Sequence, residues 1–417
     1  MVGLDFGTSN TVASLKINNS IELIPLENQG LSTPTIIYLD NKDQVKIGTE
    51  AKEAYRENLK NSLNPILAAN SFRLIQAVKL ALKDKNLKST NIFGKQVSIE
   101  TIVSLFLQEV RKKISPFGGP NQNKIVVGRP VELGVGREED RYLQNRFTTA
   151  FKMAGFSEVS YIYEPVAAAA GLVGKVKGKV LIFDFGGGTL DLSIAQLNTD
   201  TIEIIGTSGL ELGGFHLDEE IAKSKVRAHF GHGSKYKNIS GRYLEVPHFI
   251  TDQVTSYKPL PLDQIQDAKR TIADLLYEAS DKNKLLWLKT FLEKGYSFDL
   301  YSSIDRTKIN LSQNEMAELN FLMPDCLRIS ETLYRGEFEK VIVPKLILVE
   351  KLITTILEKS HLKERDIDFV VRVGGSSLIP AFKNLLESKF PTRVLEGNIF
   401  NGICLGLLPA FENGFVV

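Results

Sequence analysis

The chain has 417 residues, 43% of them hydrophobic and 24% charged, and a formal net charge of +2. This composition is typical of an ordered globular protein and excludes wholesale disorder, while the near-neutral charge offers no general electrostatic field for nucleic acid or an anionic membrane. At about 150 residues per domain, the length favours roughly three packing units.

The start of the chain and its cysteine content predict a cellular location. Residues Met1–Leu4 lead directly into a glycine-rich turn, without the basic and apolar regions of a secretory signal. No apolar run approaches the roughly 20 residues that a membrane-spanning helix needs. The two cysteines, Cys326 and Cys404, lie in apolar surroundings, which favours core packing in a reducing compartment over a disulfide framework. We therefore expect a cytoplasmic protein without a membrane partner.

A short motif near the start of the chain occurs a second time. The segment Leu4–Thr11 (LDFGTSNT) reappears in altered form as Phe183–Asp191 (FDFGGGTLD). Each copy follows a short apolar run and has the pattern of a hairpin, in which a strand ends at an Asp and a tight Gly/Thr turn leads into a returning strand. Two related lobes are therefore expected.

The segment between the two copies alternates helical and strand patterns. A helix is predicted at Ile99–Ile114, a strand at Lys124–Val127 and an amphipathic helix near Glu138–Ala154. Glu164-Pro165 then opens an alanine-rich helix, because proline is tolerated in the first turn. Such alternation is typical of the α/β class.

After the second copy, the chain makes a long excursion before it returns to strand and helix. Gly209–Asp218 is a glycine turn entering a helix, and from Asp218 to Lys308 the pattern is helical in parts and irregular around Gly231–Pro261. We therefore expect an inserted subdomain. The last predicted elements are a strand at Asp368–Val373 and helices at Pro380–Phe390 and Gly402–Phe411.

The duplicated turns have the chemistry of a polyphosphate site. Successive backbone N–H groups of a glycine-rich turn can converge on anionic oxygens because no Cβ is in the way. Two such turns can clasp a polyphosphate from opposite sides, and the flanking carboxylates of Asp5 and Asp184 can hold Mg²⁺ through its waters, since that ion usually retains several. A pair of tight hairpins without a ligand would not need both acids.

Other common nucleotide and metal motifs are missing from the sequence. There is no G-x-x-x-x-G-K-[ST], and the run Gly186–Gly188 lacks the third glycine of a dinucleotide fingerprint. The turn Gly374–Ser376 leaves room for a flat base or ribose against the backbone. His229 and His232 lack further ligands, so no zinc site is expected.

On these residues, the chain resembles the actin-like ATPases and, within them, the seventy-kilodalton heat-shock protein (DnaK) family. Four motifs carry the resemblance in order: Gly3–Asn10 and Asp184–Asp191 for phosphate, Tyr163–Ala169 as connection and Val373–Pro380 for adenosine. Val127–Pro130 and Lys152–Phe156 further resemble the short YegD-type branch, an ATPase domain without a peptide-binding domain. The resemblance implies an α/β, actin-like (ribonuclease H-like duplicated) two-lobed fold with inserted outer subdomains.

The expected domain organisation follows from the motif positions. Lobe I comprises residues 1–174, with 398–417 returning to it. Lobe II comprises residues 175–397 and includes the inserted subdomain at about 219–313. Because the adenosine motif and its closing helix leave only a few residues before Val417, the ATPase body is expected to use the whole chain, so that clients must be held by the lobes or by another chain.

The resemblance also implies roles for individual residues. Asp5 and Asp184 orient hydrated Mg²⁺, and Asp191 and Glu164 lie near the attacking water; these four and Thr189 form the expected catalytic set. The remaining residues expected to bind ATP or ADP are Gly7, Thr8, Ser9, Asn10, Gly186, Gly187, Gly188, Gly213, Gly214, Asp305, Lys308, Ser312, Gly374, Gly375 and Ser376. Two alternatives stay open: Glu164 also fits a carboxylate at a helix N-terminus, and the helix of Asp305 also fits a solvated face.

The sequence departs from the family pattern at several positions. The phosphate-proximal lysine of the family has a counterpart in Arg73, in Lys79 or in neither. Leu378 replaces an arginine that stacks on the base, and Ile309 replaces a cation in the adenine helix, so we expect a more apolar adenine contact. Asp218 and the preceding glycines are kept.

Three functions remain possible at this point. The first is a chaperone-like protein of the heat-shock family that hydrolyses Mg-ATP slowly in an interlobe cleft, closes its lobes around the nucleotide and engages unfolded or partner proteins but no nucleic acid. The second is an actin-like filament protein of the MreB type, which the excursion disfavours because it would hinder stacking. The third is a small-molecule kinase on the same fold, which would need a positioned carboxylate base.

Overall fold

The computed structural model describes the chain except for residues 29, 62–70, 119–122, 132, 135, 173–175, 199–200, 257–261, 325 and 396–401. Its contacts divide the chain into two compact units. The first unit consists of Met1–Glu211, Lys351–Ser377 and Asn384–Val417, and the second of Leu212–Glu350 with Leu378–Lys383.

The first unit contains a six-stranded sheet in which the first hairpin is central. Strand β1 pairs antiparallel with β2 and parallel with β10, and the strand order is β11-β10-β1-β2-β3 with β4 added to β2. The strands of this sheet are β1 (Val2–Phe6), β2 (Asn10–Ile17), β3 (Ser20–Ile24), β4 (Ser32–Pro34), β10 (Lys124–Arg129) and β11 (Glu158–Tyr163). The β1–β2 pairing confirms the hairpin predicted for the first copy of the motif.

A second sheet of the same unit repeats this arrangement around the second copy. Strand β12 pairs antiparallel with β13 and parallel with β19, in the order β14-β13-β12-β19. These strands are β12 (Gly178–Phe185), β13 (Leu190–Leu197), β14 (Ile202–Leu210) and β19 (Phe369–Val373). The order β3-β2-β1-β10 therefore corresponds strand by strand to β14-β13-β12-β19, so the repeat in the sequence is a repeat in the fold.

Smaller sheets and helices complete the first unit. The additional strands are β5 (Ile36–Asp40), β6 (Val45–Ile47), β7 (Phe72–Gln76), β8 (Ser89–Ile92) and β9 (Lys95–Ser98). The helices are α1 (Gly48–Asn61), α2 (Val78–Lys83), α3 (Ile99–Ile114), α4 (Gly136–Met153), α5 (Glu164–Ala170) and α14 (Gly402–Glu412). Helix α3 begins where the sequence predicts, because the Ser98 hydroxyl accepts a hydrogen bond from the Thr101 N–H and caps the first turn.

One core of this unit lies beneath the first hairpin. Phe6, the residue after Asp5, is buried, and its ring centroid lies 5.8 Å from that of Phe106, 6.4 Å from Phe147 and 6.2 Å from Phe151. These rings come from α3 and α4, whose apolar faces the sequence pattern predicts. The end of β1 is therefore held on a rigid aromatic base.

A second core joins α5 and α14 to strands of both sheets. The two helices approach closely at Gly406, where a Cβ would overlap the carbonyl oxygen of Ala167. Helix α14 also lies against the first hairpin: the Ser14 hydroxyl donates to the Cys404 carbonyl at 2.9 Å, and the Cys404 thiol lies 3.3 Å from the Val12 carbonyl oxygen. Cys404 is buried and both cysteines are free thiols, as the sequence predicts.

The second unit contains the inserted segment. Its strands are β15 (Lys235–Lys237), β16 (Tyr243–Glu245), β17 (Met316–Met323) and β18 (Leu327–Tyr334). Its helices are α6 (Gly214–Ile221), α7 (His248–Thr251), α8 (Leu262–Leu275), α9 (Lys282–Lys294), α10 (Ser297–Gln313) and α11 (Arg335–Val341). The prediction of irregular chain around Gly231–Pro261 is wrong in part, because β15 and β16 form a hairpin and α7 follows; three-residue strands are too short for an alternation signal.

Two boundaries between the units fall within helices, α12 (Val343–Lys359) and α13 (Pro380–Lys389). The predicted lobe boundaries at 174/175 and 397/398 lie outside the described residues, and the lobe division stays a prediction. No helix in the described part of the chain has the length and apolar character to span a bilayer. The structure confirms a mixed α/β protein with several sheets.

Candidate functional site

Thr35, which lies outside the first hairpin, donates two hydrogen bonds to the turn of that hairpin. Asp5 pairs with Val12 in the ladder, so the turn comprises Gly7 to Asn10. The Thr35 hydroxyl donates to the Gly7 carbonyl at 2.9 Å, and the Thr35 N–H donates to the Ser9 carbonyl at 2.8 Å. With these carbonyls engaged, the predicted residues Thr8 and Ser9 lie half-buried at the tip of the turn, which suits an anion-binding turn.

The second turn is tighter and is supported by the segment after β19. Asp184 lies directly opposite Asp191 in the β12–β13 ladder, and the Gly186 N–H donates to the Thr189 carbonyl at 3.1 Å. The Ser376 hydroxyl donates to the Gly186 carbonyl at 2.8 Å. The predicted adenosine turn therefore lies against the second phosphate turn.

Gly374 makes this contact possible. Its φ is +80°, a conformation that residues with a Cβ rarely adopt. A Cβ there would overlap the Phe185 carbonyl and lie 3.0 Å from the Gly186 nitrogen. The backbone of the two turns is consequently packed without an intervening side chain.

The two phosphate turns come together within the first unit. A Cβ added at Gly188 would lie 3.4 Å from the Thr8 methyl carbon and 3.7 Å from a methyl carbon of Leu80 in α2. The predicted glycines and threonines of both copies, Gly7 to Asn10 and Gly186 to Thr189, therefore surround one region, and α2 forms part of its wall.

Four carboxylates converge beside these turns. Asp5 and Asp184 are the next-to-last residues of β1 and β12, Asp191 is the second residue of β13, and Glu164 is the first residue of α5. Glu164 can pack there because Gly128 has no side chain: a Cβ at Gly128 would lie 3.3 Å from the Glu164 Cγ. The structure thus brings together the acids that the sequence predicts.

The pKa values of three of these carboxyl groups are raised because their negative charges are desolvated and close together. Burial, then the charge of Glu164, raises the pKa of Asp5 to about 7, although Lys79 acts against the shift. Burial and the charges of Glu164, Asp191 and Asp5 hold the pKa of Asp184 well above its usual range. Burial and Glu164 raise the pKa of Asp191 to about 6, against a hydrogen bond from Thr189. Such shifts arise where carboxylates share a desolvated site, and added positive charge would reverse them.

Lys79 is the cation that the sequence pattern left ambiguous. Its ammonium lies 3.3 Å from a carboxylate oxygen of Glu164, with side chains 9% and 11% exposed respectively. Although burial lowers the pKa of Lys79, the charges of Glu164, Asp5 and Asp184 outweigh it and raise the pKa. Arg73 lies on β7 opposite Leu39. Arg73 and Lys79 therefore lie in different elements, β7 and α2, and it is Lys79 that contacts Glu164.

The residues predicted to contact adenosine in the second unit form a cluster of their own. The Lys308 ammonium lies 2.8 Å from an oxygen of Asp218 and 3.0 Å from one of Asp305, and it donates to the Gly214 carbonyl at 3.3 Å. Burial raises the pKa of Asp218 to about 7 even though Lys308 opposes the shift. Lys308 therefore joins α10 to the first turns of α6, which sequence reasoning did not anticipate.

Other predicted contacts of this unit are placed as follows. Gly213 lies before α6, where its N–H donates to the His216 ring nitrogen at 3.0 Å. The Ser312 hydroxyl donates to the Lys308 carbonyl at 3.3 Å along the helix. Ile309 and Leu378 are both half exposed, at 52% and 47%.

The donor set suits a hydrated metal ion better than a directly ligated one. Within the described ranges, no three His, Cys, Asp or Glu side chains come together so that they could hold a metal directly. The carboxylates around Asp5 and Asp184 nevertheless outnumber the ammonium of Lys79, so a further cation would be stabilised there. Mg²⁺ that keeps its waters fits both observations.

The chain has relatives among known proteins. The family described as Hsp70 protein matches residues 1–238 and 292–399. The chain is similar to proteins named "Chaperone protein DnaK": 26% identical to that of Mycoplasmopsis agalactiae over 93% of this chain and 54% of that protein, and 25% to that of Thermosipho melanesiensis over 94% and 55%. The corresponding protein of Nitrosopumilus maritimus is 26% identical over 97% of this chain and 53% of its own length. The chain thus spans about half the length of these relatives.

Proposed function

The chain belongs to the Hsp70 family, and from this premise we propose that it binds Mg-ATP and Mg-ADP at the paired glycine turns and hydrolyses ATP slowly as a chaperone-like protein. The observation that carries the proposal is the cluster formed by the buried Glu164, the half-buried carboxylates of Asp5, Asp184 and Asp191, and Lys79 beside the two turns. A phosphate-binding backbone next to uncompensated carboxylates suits a polyphosphate that arrives with its cation.

The predicted site residues of the first unit have separate roles in this proposal. Backbone N–H groups of the two turns and the hydroxyls of Thr8, Ser9 and Thr189 bind the phosphate oxygens. Asp5 and Asp184 hold the waters of Mg²⁺, and the ion supplies charge neutralisation on the phosphate oxygens. The turn Gly374 to Ser376 supports the second phosphate turn and leaves backbone open to the nucleoside.

The proposed reaction needs no covalent intermediate on the protein. The oxygen of a water forms a bond to the terminal phosphorus while the bond from that phosphorus to the bridging oxygen breaks, which yields ADP and inorganic phosphate. A proton of the water passes to the carboxylate of Asp191 or Glu164 and then to solvent. Since burial raises the pKa of Asp191 to about 6, this carboxylate is suited to accept a proton near neutral pH.

Lys79 contributes positive charge at the same place. Its ammonium is buried against Glu164 and within electrostatic range of Asp5 and Asp184. In the proposed reaction it neutralises charge that develops on the terminal phosphoryl group and keeps the Glu164 carboxylate oriented. A compact ammonium performs this task differently from a planar guanidinium, so Arg would be a poor replacement.

The chaperone-like role depends on the family alone. We propose that closure of the protein around nucleotide is the output that unfolded or partner proteins sense. A cytoplasmic location is proposed on the same basis. The contacts of Lys308 with Asp218 and Gly214 support a nucleoside-binding role for that cluster only indirectly, since they also stabilise the second unit.

Calorimetry and steady-state turnover of the purified chain test the proposal. Asp184→Ala combined with Thr189→Ala should abolish Mg-ATP binding, while Lys79→Ala should slow turnover at least 10-fold and leave ADP binding largely intact. Arg73→Ala is the matched control, a cation on the neighbouring strand, and should behave as wild type. Micromolar ATP affinity in the double variant would refute the assignment of the site.

Light scattering and acceptor assays on the same purified protein distinguish this function from a filament-forming ATPase and from a small-molecule kinase. Acceptor-independent hydrolysis without growth of light scattering supports a chaperone-like ATPase. Scattering that grows with ATP would indicate filaments, and a phosphorylated acceptor would indicate a kinase.

A further inference from the structure

A second lysine lies one helical turn beyond Lys79. Helix α2 spans Val78–Lys83, so Lys79 and Lys83 are at i and i+4 and share a helix face. Between them, Leu80 lies 3.7 Å from the position that a Cβ of Gly188 would take. The face that carries both lysines therefore borders the second phosphate turn.

Among the residues that the structure describes, Lys79 has an ion-pair partner and Lys83 has none. Lys79 is held by Glu164, whereas in the part of the chain that the structure describes no carboxylate lies within 4.0 Å of the Lys83 ammonium. Lys83 is nevertheless half-buried, not extended into solvent. A partly desolvated ammonium without an ion-pair partner lowers the stability of the fold. An anionic ligand that binds beside Lys83 would offset this cost.

The surroundings of Lys83 locate that anion. Burial and the charge of Lys79 lower the pKa of Lys83, while Asp191, Glu164 and Glu211 act against the shift. Asp191 responds in turn, since Lys83 lowers its pKa. Lys83 is thus close to Asp191, the carboxylate proposed to face the attacking water.

We propose that Lys83 binds the terminal phosphoryl group of the nucleotide, as a second cation beside Lys79. This inference rests on the proposed function. The ligand is a phosphoryl dianion, either the γ-phosphoryl group of ATP or the inorganic phosphate released from it. Lys79 is already paired with Glu164 when it meets the phosphoryl group, whereas the charge of Lys83 is available to pair with the ligand, so Lys83 distinguishes ATP from ADP.

The test compares nucleotide affinities of Lys83→Gln, Lys83→Arg and wild type by calorimetry in Mg²⁺ with ATP, with ADP, and with ADP plus inorganic phosphate. Lys83→Gln should bind ATP about 10-fold more weakly and ADP within 2-fold of wild type, and Lys83→Arg should recover most of the difference. If Lys83 also binds the released inorganic phosphate, Lys83→Gln should bind ADP plus phosphate more weakly than wild type as well. Lys85→Gln removes an exposed lysine two residues away, paired with Glu139 at 3.2 Å, and should change none of these affinities.

A second measurement tests whether Lys83 acts only by stabilising the fold. Urea unfolding without nucleotide should show Lys83→Gln at least as stable as wild type, because the substitution removes an unpaired half-buried charge. An unchanged ratio of ATP to ADP affinity in Lys83→Gln overturns the inference, as does a loss of stability that accounts for weaker binding of both nucleotides. Wild type that binds no nucleotide overturns the proposed function itself and this inference with it, so the two failures are distinguishable.

Discussion

The charge imbalance among the buried carboxylates predicts that Asp5 destabilises the nucleotide-free protein. Its pKa is raised from 3.8 to about 7, with burial as the main cause and Glu164 as the second. A carboxyl group with a higher pKa in the folded chain than in the unfolded chain favours folding while protonated. This contribution is complete below pH 3.8 and is lost as the pH rises through about 7.

The size of the effect follows from the shift. About three pKa units at roughly 1.4 kcal/mol each correspond to about 4 kcal/mol as an upper bound, because Asp5, Asp184 and Glu164 influence one another. Asp5→Asn removes the ionisable group but keeps the shape. We expect the variant to exceed wild type in free energy of unfolding by about 1.5 kcal/mol near pH 5 and by up to about 4 kcal/mol at pH 8 without Mg²⁺ or nucleotide.

Urea unfolding followed by circular dichroism at pH 5 and pH 8 in EDTA measures this difference. Asp43→Asn, which changes an exposed aspartate, is the control and should show no pH-dependent gain. Mg-ATP should stabilise wild type at pH 8 and not Asp5→Asn. A variant that is no more stable than wild type at pH 8, or a difference that is the same at both pH values, would refute the reasoning.

Three further outcomes are expected. Gly374→Ala should lower the melting temperature and weaken ATP binding together, because the new Cβ overlaps the Phe185 carbonyl and φ is +80°; thermal unfolding and calorimetry check both. Lys308→Met should cost about 3–5 kcal/mol in urea unfolding because Asp218 is left buried without its partner, and Lys308→Met with Asp218→Leu should recover much of the loss. Gly406→Ala should reduce the yield of folded protein, since its Cβ overlaps a carbonyl of the neighbouring helix; normal yield and melting temperature would contradict this close packing.

Features carried by local sequence were predictable. Both hairpins follow from apolar runs ending at an Asp and a glycine turn, and the observed ladders at Asp5 and Asp184 agree. Helix α3 has the bounds predicted from the sequence, since its apolar residues repeat at helical spacing. The meeting of the acids was predicted through the repeat and the family resemblance.

Features that depend on distant contacts were not predictable from pattern alone. Nothing in the local sequence distinguishes Lys79 from Arg73, because the choice depends on the approach of Glu164, which lies in another element. The same holds for Lys308, whose helical spacing fits a solvated face although the side chain is buried against Asp218. The β15–β16 hairpin is too short for its alternation to be seen.

The contact between α14 and the first hairpin sets an order of events during synthesis. Ser14 bonds to Cys404, and Gly406 seats α14 on α5, the helix that begins with Glu164. A ribosome therefore releases β1 and β2 long before the segment that covers them exists, and contacts of such sequence separation form late. The acid cluster can reach its final geometry only after α14 has docked, so a nascent chain is expected to gain nucleotide affinity in a single late step rather than gradually.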